Sequence, residues 1–596
     1  MIKKLFNLLS KKERKHVFFL IIIILISAIL EVLGIAAILP LIALLSNPNL
    51  IESNLLINKI YIFLNFNDPQ VFLFYVAVSF FIIFVISMVV KAVVIFFQLR
   101  FSLMCEYSIG KRLLQNYLYQ SYSWFLNQHS SDLAKNILSA VGQVINQALL
   151  PIFHLISQCL VASIIITFLC LIDFKLALIV SFTLGFAYTI TYLIFRNILN
   201  RKGLERVRND QDRYEALSNA FGSIKETKLR NLEPFCIKNF SVPAQNFAKA
   251  QTSAQIISQL PRQLFETIAF GGLLLIILYL MKQYNNFITT LPILSLYAFA
   301  GYRLIPALQQ IYTALSSLRF ANSAINSVYE NQLVNYDINI IKAKLPFNNE
   351  ISLKNITFYY PKASKTNLNN ISIKIPAKST VGIVGVTGSG KTTLVDIILG
   401  LLEPHSGTLA VDKTIINSNN LASWQNNIGY VPQQIFLTDK SVSSNIAFGV
   451  DPELIDHEVV KNVSKVANLH NFVINELPEK YDTIIGERGV RLSGGQRQRI
   501  GIARALYRNP SVLVLDEATN ALDNSTEKVI IDTLNNLSKK MTIIFISHRL
   551  NTIKKCNQLF LLDQGKIIAN GNYDQLSSNN KAFIELMSER QWSNDS

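Results

Sequence analysis

Cysteine is scarce. Five residues (Cys105, Cys159, Cys170, Cys236 and Cys556) are spread over 596 positions, with no CxxC pair among them. That spacing offers neither a disulfide framework nor a zinc site. Cys159 and Cys170 fall in an apolar run, where a free thiol behaves as a small hydrophobe. The chain also lacks a basic stripe interleaved with aromatics, so its formal charge of +17 does not point to nucleic acid. The basic residues flank apolar runs instead. Lys3, Lys4, Lys11, Lys12, Arg14 and Lys15 precede the first, and Arg196, Arg201, Lys202, Arg206, Arg208 and Arg213 follow a later one. Nor does a short apolar core with a small-residue cleavage site follow the basic start, because the run from Val17 continues past Glu31 to Leu45. A retained transmembrane helix is expected there rather than a signal peptide.

Hydrophobic residues make up 50% of the chain and mean hydropathy is +0.31, high for a soluble enzyme. The excess fills the first half and fades after about Glu330. A membrane domain over 1–330, a linker over 331–350 and a soluble domain over 351–596 are expected. Six apolar stretches are expected to span: Val17–Leu45, Val71–Leu99, Leu149–Ile172, Leu176–Ile198, Ile268–Met281 with its preceding turns, and Leu291–Ala314. Each reaches or can be extended to the ~20 residues that cross ~30 Å of hydrocarbon. Asn47–Gln70 carries one basic residue, Lys59, and the turns near Asp173 and Asn285 carry Lys175 and Lys282. Arg100–Lys135 and Arg196–Lys249 are far richer in Lys and Arg, which places them and both termini in the cytoplasm. Each has room for helices that extend beyond the membrane and turn, near Tyr122–His129 and Ser218–Lys225. Pro40, Pro151, Pro261, Pro292 and Pro306 are expected to kink or end helices. Charges at membrane depth usually face a cavity or a partner. Glu31 and Arg303 lie deepest, and an ion pair between them is one arrangement. Lys91 and Arg100 lie near the cytoplasmic end of their span, where snorkelling accounts for them equally well, and Arg262 and Glu266 fall in or near a span.

The second half holds chemistry. Val381–Gly385 reads as a buried strand running into Gly385-Val-Thr387-Gly388-Ser389-Gly390-Lys391-Thr392-Thr393, then the apolar helix Leu394–Leu402. That is a P-loop between strand and helix. Glycine backbone turns its N–H groups onto phosphates, Lys391 reaches the outer phosphates, and the Thr392 hydroxyl ligates Mg²⁺. A second apolar strand, Ser511–Leu515, ends in Asp516-Glu517. Asp516 suits Mg²⁺, and Glu517 suits the polarising of an attacking water. ATP and Mg²⁺ are the expected cofactors.

Leu492-Ser493-Gly494-Gly495-Gln496 precedes the helix Ile500–Leu506 and resembles the signature of the ATP-binding cassette (ABC) transporters. Other elements fit that family in order. Tyr360 resembles its adenine-stacking aromatic, Gln433 its Q-loop glutamine (a catalytic and Mg²⁺-side residue), and Gly486–Gly489 its exporter-specific X-loop. Asn520–Asp523 resembles its D-loop, with Asn520 where Ser is usual, and His548 its switch histidine. The resemblance implies an all-α six-helix transmembrane domain followed by an α/β P-loop cassette. It implies two chains, the signature turn of one facing the γ-phosphate held by the other. A homodimer in a bacterial cytoplasmic membrane, hydrolysing ATP to move a substrate outward, is expected, with a heterodimer as the alternative. The membrane half resembles flippases of lipid-linked oligosaccharides. The features are Lys3-Lys-Leu-Phe, Leu9-Ser-Lys-Lys, Glu31 with Pro40-Leu-Ile, Tyr302-Arg303-Leu-Ile-Pro306, and the external stretch Leu50–Asn65. A diphosphate-bearing lipid would meet basic residues, Arg303 first, then Lys91, Arg100 and Arg262. A lipid A or phospholipid flippase and a drug or peptide exporter are the alternatives.

Overall fold

The computed structural model describes residues 1–36, 59, 61–63, 68–263, 265–267, 270–272, 274, 278, 287–332, 343–360, 366–486, 489–518, 523–547 and 549–591. Its contacts divide the chain into two units. One holds Met1–Gln120 and Asn127–Tyr336, the other Ser121–Leu126 and Asp337–Ser596.

The first unit is helical. Among the described residues its main helices are α1 (Ile2–Leu8), α2 (Lys11–Ala36) and α3 (Pro69–Leu118). A four-residue helix, α4 (Tyr122–Phe125), falls in the segment that groups with the second unit. Then come α5 (Ser130–Ile172), α6 (Phe174–Gly222), α7 (Ile224–Leu229), α8 (Glu233–Gln259) and α9 (Phe287–Gln332). Four of these carry stretches long and apolar enough to cross a membrane: Lys11–Leu33, Gln70–Leu118, Ser130–Ile172 and Ala177–Gly222. The expected span at Leu291–Ala314 runs inside α9. Most of Ile268–Met281, all of 37–50 and most of Leu50–Asn65 lie outside the described residues.

The helices outrun the apolar stretches. Hydropathy marks only the part that suits hydrocarbon, whereas backbone hydrogen bonding continues wherever side chains permit. α9 passes through Pro292 and Pro306 without ending. A proline removes one donor and crowds one carbonyl, and the rest of a 46-residue ladder holds the rod together. Pro151 lies two residues past a π-helical turn, Ile145–Leu149, where the backbone register is already shifted. A second π-helical turn occupies Asn136–Ala140.

One apolar cluster joins Ala28 and Val32 of α2, Val161, Ile165 and Leu169 of α5, Leu184 of α6, and Ala300 and Leu304 of α9. Glu31 lies within this stretch of α2, and Arg303 is the neighbour of Leu304 on α9.

Among its described residues the second unit carries two sheets. The four-stranded one has the order β2-β1-β4-β5 and is antiparallel: β1 Glu350–Phe358, β2 Leu368–Pro376, β4 Ser406–Val411, β5 Thr414–Ile415. The six-stranded one has the order β10-β9-β3-β8-β7-β6. Its strands are β3 Thr380–Gly385, β6 Ile428–Val431, β7 Val512–Asp516, β8 Thr542–Ile546, β9 Gln558–Asp563 and β10 Lys566–Gly571. All its pairings are parallel except β9 with β10. Strands β3, β7 and β8 are buried along their whole length. That is why they read as unbroken runs of Val, Ile and Leu rather than alternating. The turns that leave the carboxyl ends of β3, β8, β7 and β6 therefore open on one edge, where ligands of open parallel sheets bind.

Candidate nucleotide site

The P-loop leaves β3 and caps α10 (Lys391–Ile398). Two glycines are dictated by geometry. A Cβ on Gly385 would sit 2.1 Å from the Leu562 carbonyl oxygen. Gly390 holds φ +104°, and its Cβ would sit 2.8 Å from the Asn367 carbonyl oxygen. We expect Gly390→Ala to raise the dissociation constant for a fluorescent ATP analogue by roughly tenfold or more. A left-handed backbone costs an L-residue about 1–2 kcal/mol even without the close approach. Unchanged affinity would show that the loop accommodates a side chain.

Lys391 is buried, and its ammonium points into the loop, donating to the carbonyls of Gly385 (3.0 Å) and Val386 (2.8 Å). The Ser389 hydroxyl is buried in the same turn without a hydrogen-bond partner. Thr392 is exposed at the helix start. An ammonium, two hydroxyls and a helix N-terminus facing one turn suit a polyphosphate.

Asp516 closes β7 and is buried. Burial first, and then the neighbouring Glu517 carboxylate, raise its pKa above the usual carboxylate range. The Tyr430 hydroxyl donates to it at 3.5 Å. Asp396 of α10 is pushed up to about 6 by burial and by Asp516. Buried carboxyls whose charge is held down by burial and by a neighbouring carboxylate favour a divalent cation nearby. No cluster of three His, Cys, Asp or Glu exists among the described residues. Thr392, Gln433 and Asp516 are the residues that would hold a hard cation, together with phosphate oxygens.

Glu517 is the first residue beyond β7 and has φ +49°, uncommon for a residue with a side chain. Its N–H donates to the Ile546 carbonyl at 2.9 Å, which ties it to the end of β8. Its carboxylate accepts from the Gln433 side-chain amide at 2.9 Å. The residues expected to act on water and on the metal thus meet across β7 and β6.

Tyr360 turns its hydroxyl toward the Thr393 hydroxyl at 3.2 Å and its ring edge-on to Phe358. In this arrangement it packs beside the P-loop helix. The signature turn Ser493-Gly494-Gly495-Gln496 begins α11 (Gly494–Tyr507) as a reciprocal capping box. The Ser493 N–H donates to the Gln496 side chain at 2.7 Å, and the Gln496 N–H to the Ser493 hydroxyl at 3.2 Å. His548, Glu487, Arg488 and residues 519–522 lie outside the described residues.

Sequence reading did not find Tyr430 or Asp396. Tyr430 stands three residues before Gln433, and Asp396 interrupts an otherwise apolar helix, which was the available signal. It also missed Glu527, 0% exposed on α12 (Asn524–Leu537), which accepts from Arg549 at 2.9 Å and from the Thr552 hydroxyl at 3.3 Å. That pair anchors the segment just past His548.

In the helical unit the candidate substrate-path residues separate into three places. Glu31 meets both Arg303 and Lys91, the latter at 3.0 Å. Arg262 pairs with Glu266 one turn away at 2.8 Å and is largely exposed. Arg100 lies elsewhere on α3, in a cleft with Glu13 and His16.

These features define a helical domain with membrane-length apolar helices followed by a P-loop nucleotide-binding domain. Residues 368–520 match the ABC transporter family model, and this segment is an ABC transporter ATP-binding domain. The whole chain has the fold of an exporter of that group. A bacterial Atm1-family ABC exporter with ATP bound superposes with a TM-score of 0.79, covering 97% of this chain and 98% of that one, at 21% identity. Among curated relatives, the heterocyst differentiation ATP-binding protein HepA of Nostoc sp. is 36% identical over 360 residues, 58% of each chain. The ATP-dependent lipid A-core flippase of Haemophilus influenzae is 39% identical over 243 residues, 41% of each chain. The matches thus span less than two thirds of these relatives' length.

Proposed function

We propose that the protein hydrolyses ATP to move a lipid-linked oligosaccharide from the inner to the outer leaflet of a bacterial cytoplasmic membrane, working as a pair of identical chains. The observation that carries the engine is the Gln433–Glu517 contact beside Asp516 and the P-loop. It sets a carboxylate held by an amide next to the residues suited to phosphate and metal. Lys391 and the loop N–H groups would bind the phosphates, and Tyr360 would stack on the base after turning from Thr393. Glu517 would orient and polarise the attacking water, with Gln433 fixing its carboxylate and His548 meeting the γ-phosphate. Mg²⁺, held by Thr392, Gln433 and Asp516, would neutralise charge on the transferring phosphoryl group.

The preformed capping box at Ser493–Gln496 supports the paired reading. It leaves a helix N-terminus to meet a nucleotide held by a second copy. For the cargo, support comes from the resemblance of the membrane half and from Arg303 and Lys91 converging on one carboxylate. Two cations against one anion leave a net positive site for a diphosphate. A lipid A or phospholipid flippase, as the Haemophilus relative is named, is the second reading. A drug or peptide exporter would use the same engine.

The test follows flipping of lipid-linked oligosaccharide and ATP hydrolysis in the same proteoliposomes. Flipping by the wild type that disappears in Glu517→Gln supports the whole reading. Hydrolysis without flipping keeps the engine and rejects the cargo. Arg303→Ala leaves Glu31 paired with Lys91, so the protein should fold, hydrolyse ATP and lose flipping. Loss of both activities in a folded protein would remove Arg303 from a substrate-specific role.

A further inference from the structure

The cleft holding Arg100 has a volume of about 510 Å³ and lies between α2 and α3. Its wall is divided in two. Phe19, Leu20, Phe97, Phe101 and Met104 supply a largely apolar surface, while Glu13, His16 and Arg100 supply charge and polarity. The division coincides with a change along both helices. On α2 the charged run Lys11–His16 gives way to Val17-Phe-Phe-Leu20, and on α3 the apolar run through Leu99 gives way to Arg100. Such a junction sits where hydrocarbon meets headgroups.

The charges at the polar end are unevenly compensated. Glu13 already accepts from the Ser10 N–H at 2.6 Å and faces Arg112 at 3.5 Å. The His16 Nδ1 lies 2.9 Å from the Lys12 carbonyl oxygen. A carbonyl only accepts, so Nδ1 donates, and Nε2 is left for another partner. Among the described residues, the Arg100 guanidinium has no ion pair or hydrogen bond, although it lines the cleft. Lys11, Lys12 and Lys15 are exposed on the adjoining turns of α2. One end of the cleft therefore carries uncompensated positive charge, and the rest is a slot of aromatic and aliphatic side chains. A molecule with a phosphate at one end and a hydrocarbon chain at the other complements both.

We propose that the α2–α3 cleft is a binding site for one anionic phospholipid of the surrounding membrane, its phosphate on Arg100 and an acyl chain along Phe97, Phe101 and Met104. The site is separate from the Glu31–Lys91–Arg303 cluster and does not depend on what the protein transports. It moves Arg100 from the candidate substrate path to a lipid contact.

The full-length protein is reconstituted in nanodiscs of equimolar phosphatidylglycerol and phosphatidylcholine. Retained lipids are counted by native mass spectrometry after release. One arginine facing an anionic lipid is worth about a fivefold preference. The wild type should retain phosphatidylglycerol by about that factor, Arg100→Lys should keep the preference, and Arg100→Gln should bring it near parity. Met104→Trp fluorescence should be quenched more by brominated phosphatidylglycerol than by the brominated choline lipid. Parity in the wild type, or a preference that survives Arg100→Gln, overturns the proposal. So does a tryptophan quenched by neither lipid, which would mean that a second copy of the chain covers the cleft.

Discussion

Glu517→Gln should lower ATP hydrolysis by about two to four orders of magnitude while leaving ATP affinity within a few-fold of wild type. The range is what a positioned general base contributes. Affinity should hold because the side chain accepts its bond from Gln433 and lies beyond β7, whereas the phosphate-facing groups come from β3 and α10. The substitution is nearly isosteric, so the backbone tie to Ile546 should survive. Filter binding of ATP alongside phosphate release separates the two effects. Hydrolysis above a tenth of the wild-type rate would mean that Glu517 is not the base. A matching loss of binding would mean that the change disturbs the P-loop instead. If two chains pair around ATP as proposed, retained binding without turnover should favour that pair, visible as a shift in size on adding ATP.

Glu31→Ala should be the most damaging single change in the helical unit. The carboxylate is 7% exposed and serves two cations at once. Removing it leaves Lys91 and Arg303 to share a poorly solvated space with no counter-charge. Breaking a buried pair from one side costs about 3–5 kcal/mol. Lys91, at 33% exposed, relieves part of this by reaching solvent, so the lower end is expected. The unfolding midpoint of the purified protein in detergent should fall by several degrees. Adding Arg303→Ala to Glu31→Ala should recover part of the loss, because the second change removes one of the stranded charges. Additive losses would show that Glu31 and Arg303 act independently.

Local chemistry was legible in the sequence, and long-range convergence was not. The P-loop, the acid pair at the end of β7 and the signature turn each occupy a few consecutive residues whose types are set by backbone geometry. The helix and strand around each follow from the same short pattern. The capping box at Ser493 and Gln496 is one case, since a serine and a glutamine three apart are enough to write it. Glu31, Lys91 and Arg303 lie on three different helices. Nothing in the spacing says that one carboxylate serves both cations, and only a pair with Arg303 was in view. Arg262 shows the opposite situation: its partner, Glu266, is one helical turn away and needs no fold at all. The π-helical turns at Asn136–Ala140 and Ile145–Leu149 carry no sequence mark, being made of ordinary helix-forming and apolar residues. Tyr430 and Asp396 were hidden because their importance is conferred by Asp516, which the fold brings beside them.

The left-handed backbone at Glu517 also bears on how this gene would behave under selection in the laboratory. Glycine and asparagine adopt such a conformation with less strain than glutamate. A library screened only for soluble, heat-resistant protein would therefore enrich them at position 517, and each enriched clone would be a better-behaved molecule with its proposed general base removed. Stability and turnover pull in opposite directions at this one residue. A thermostable variant of the protein should be assayed for phosphate release before its melting temperature is taken as an improvement.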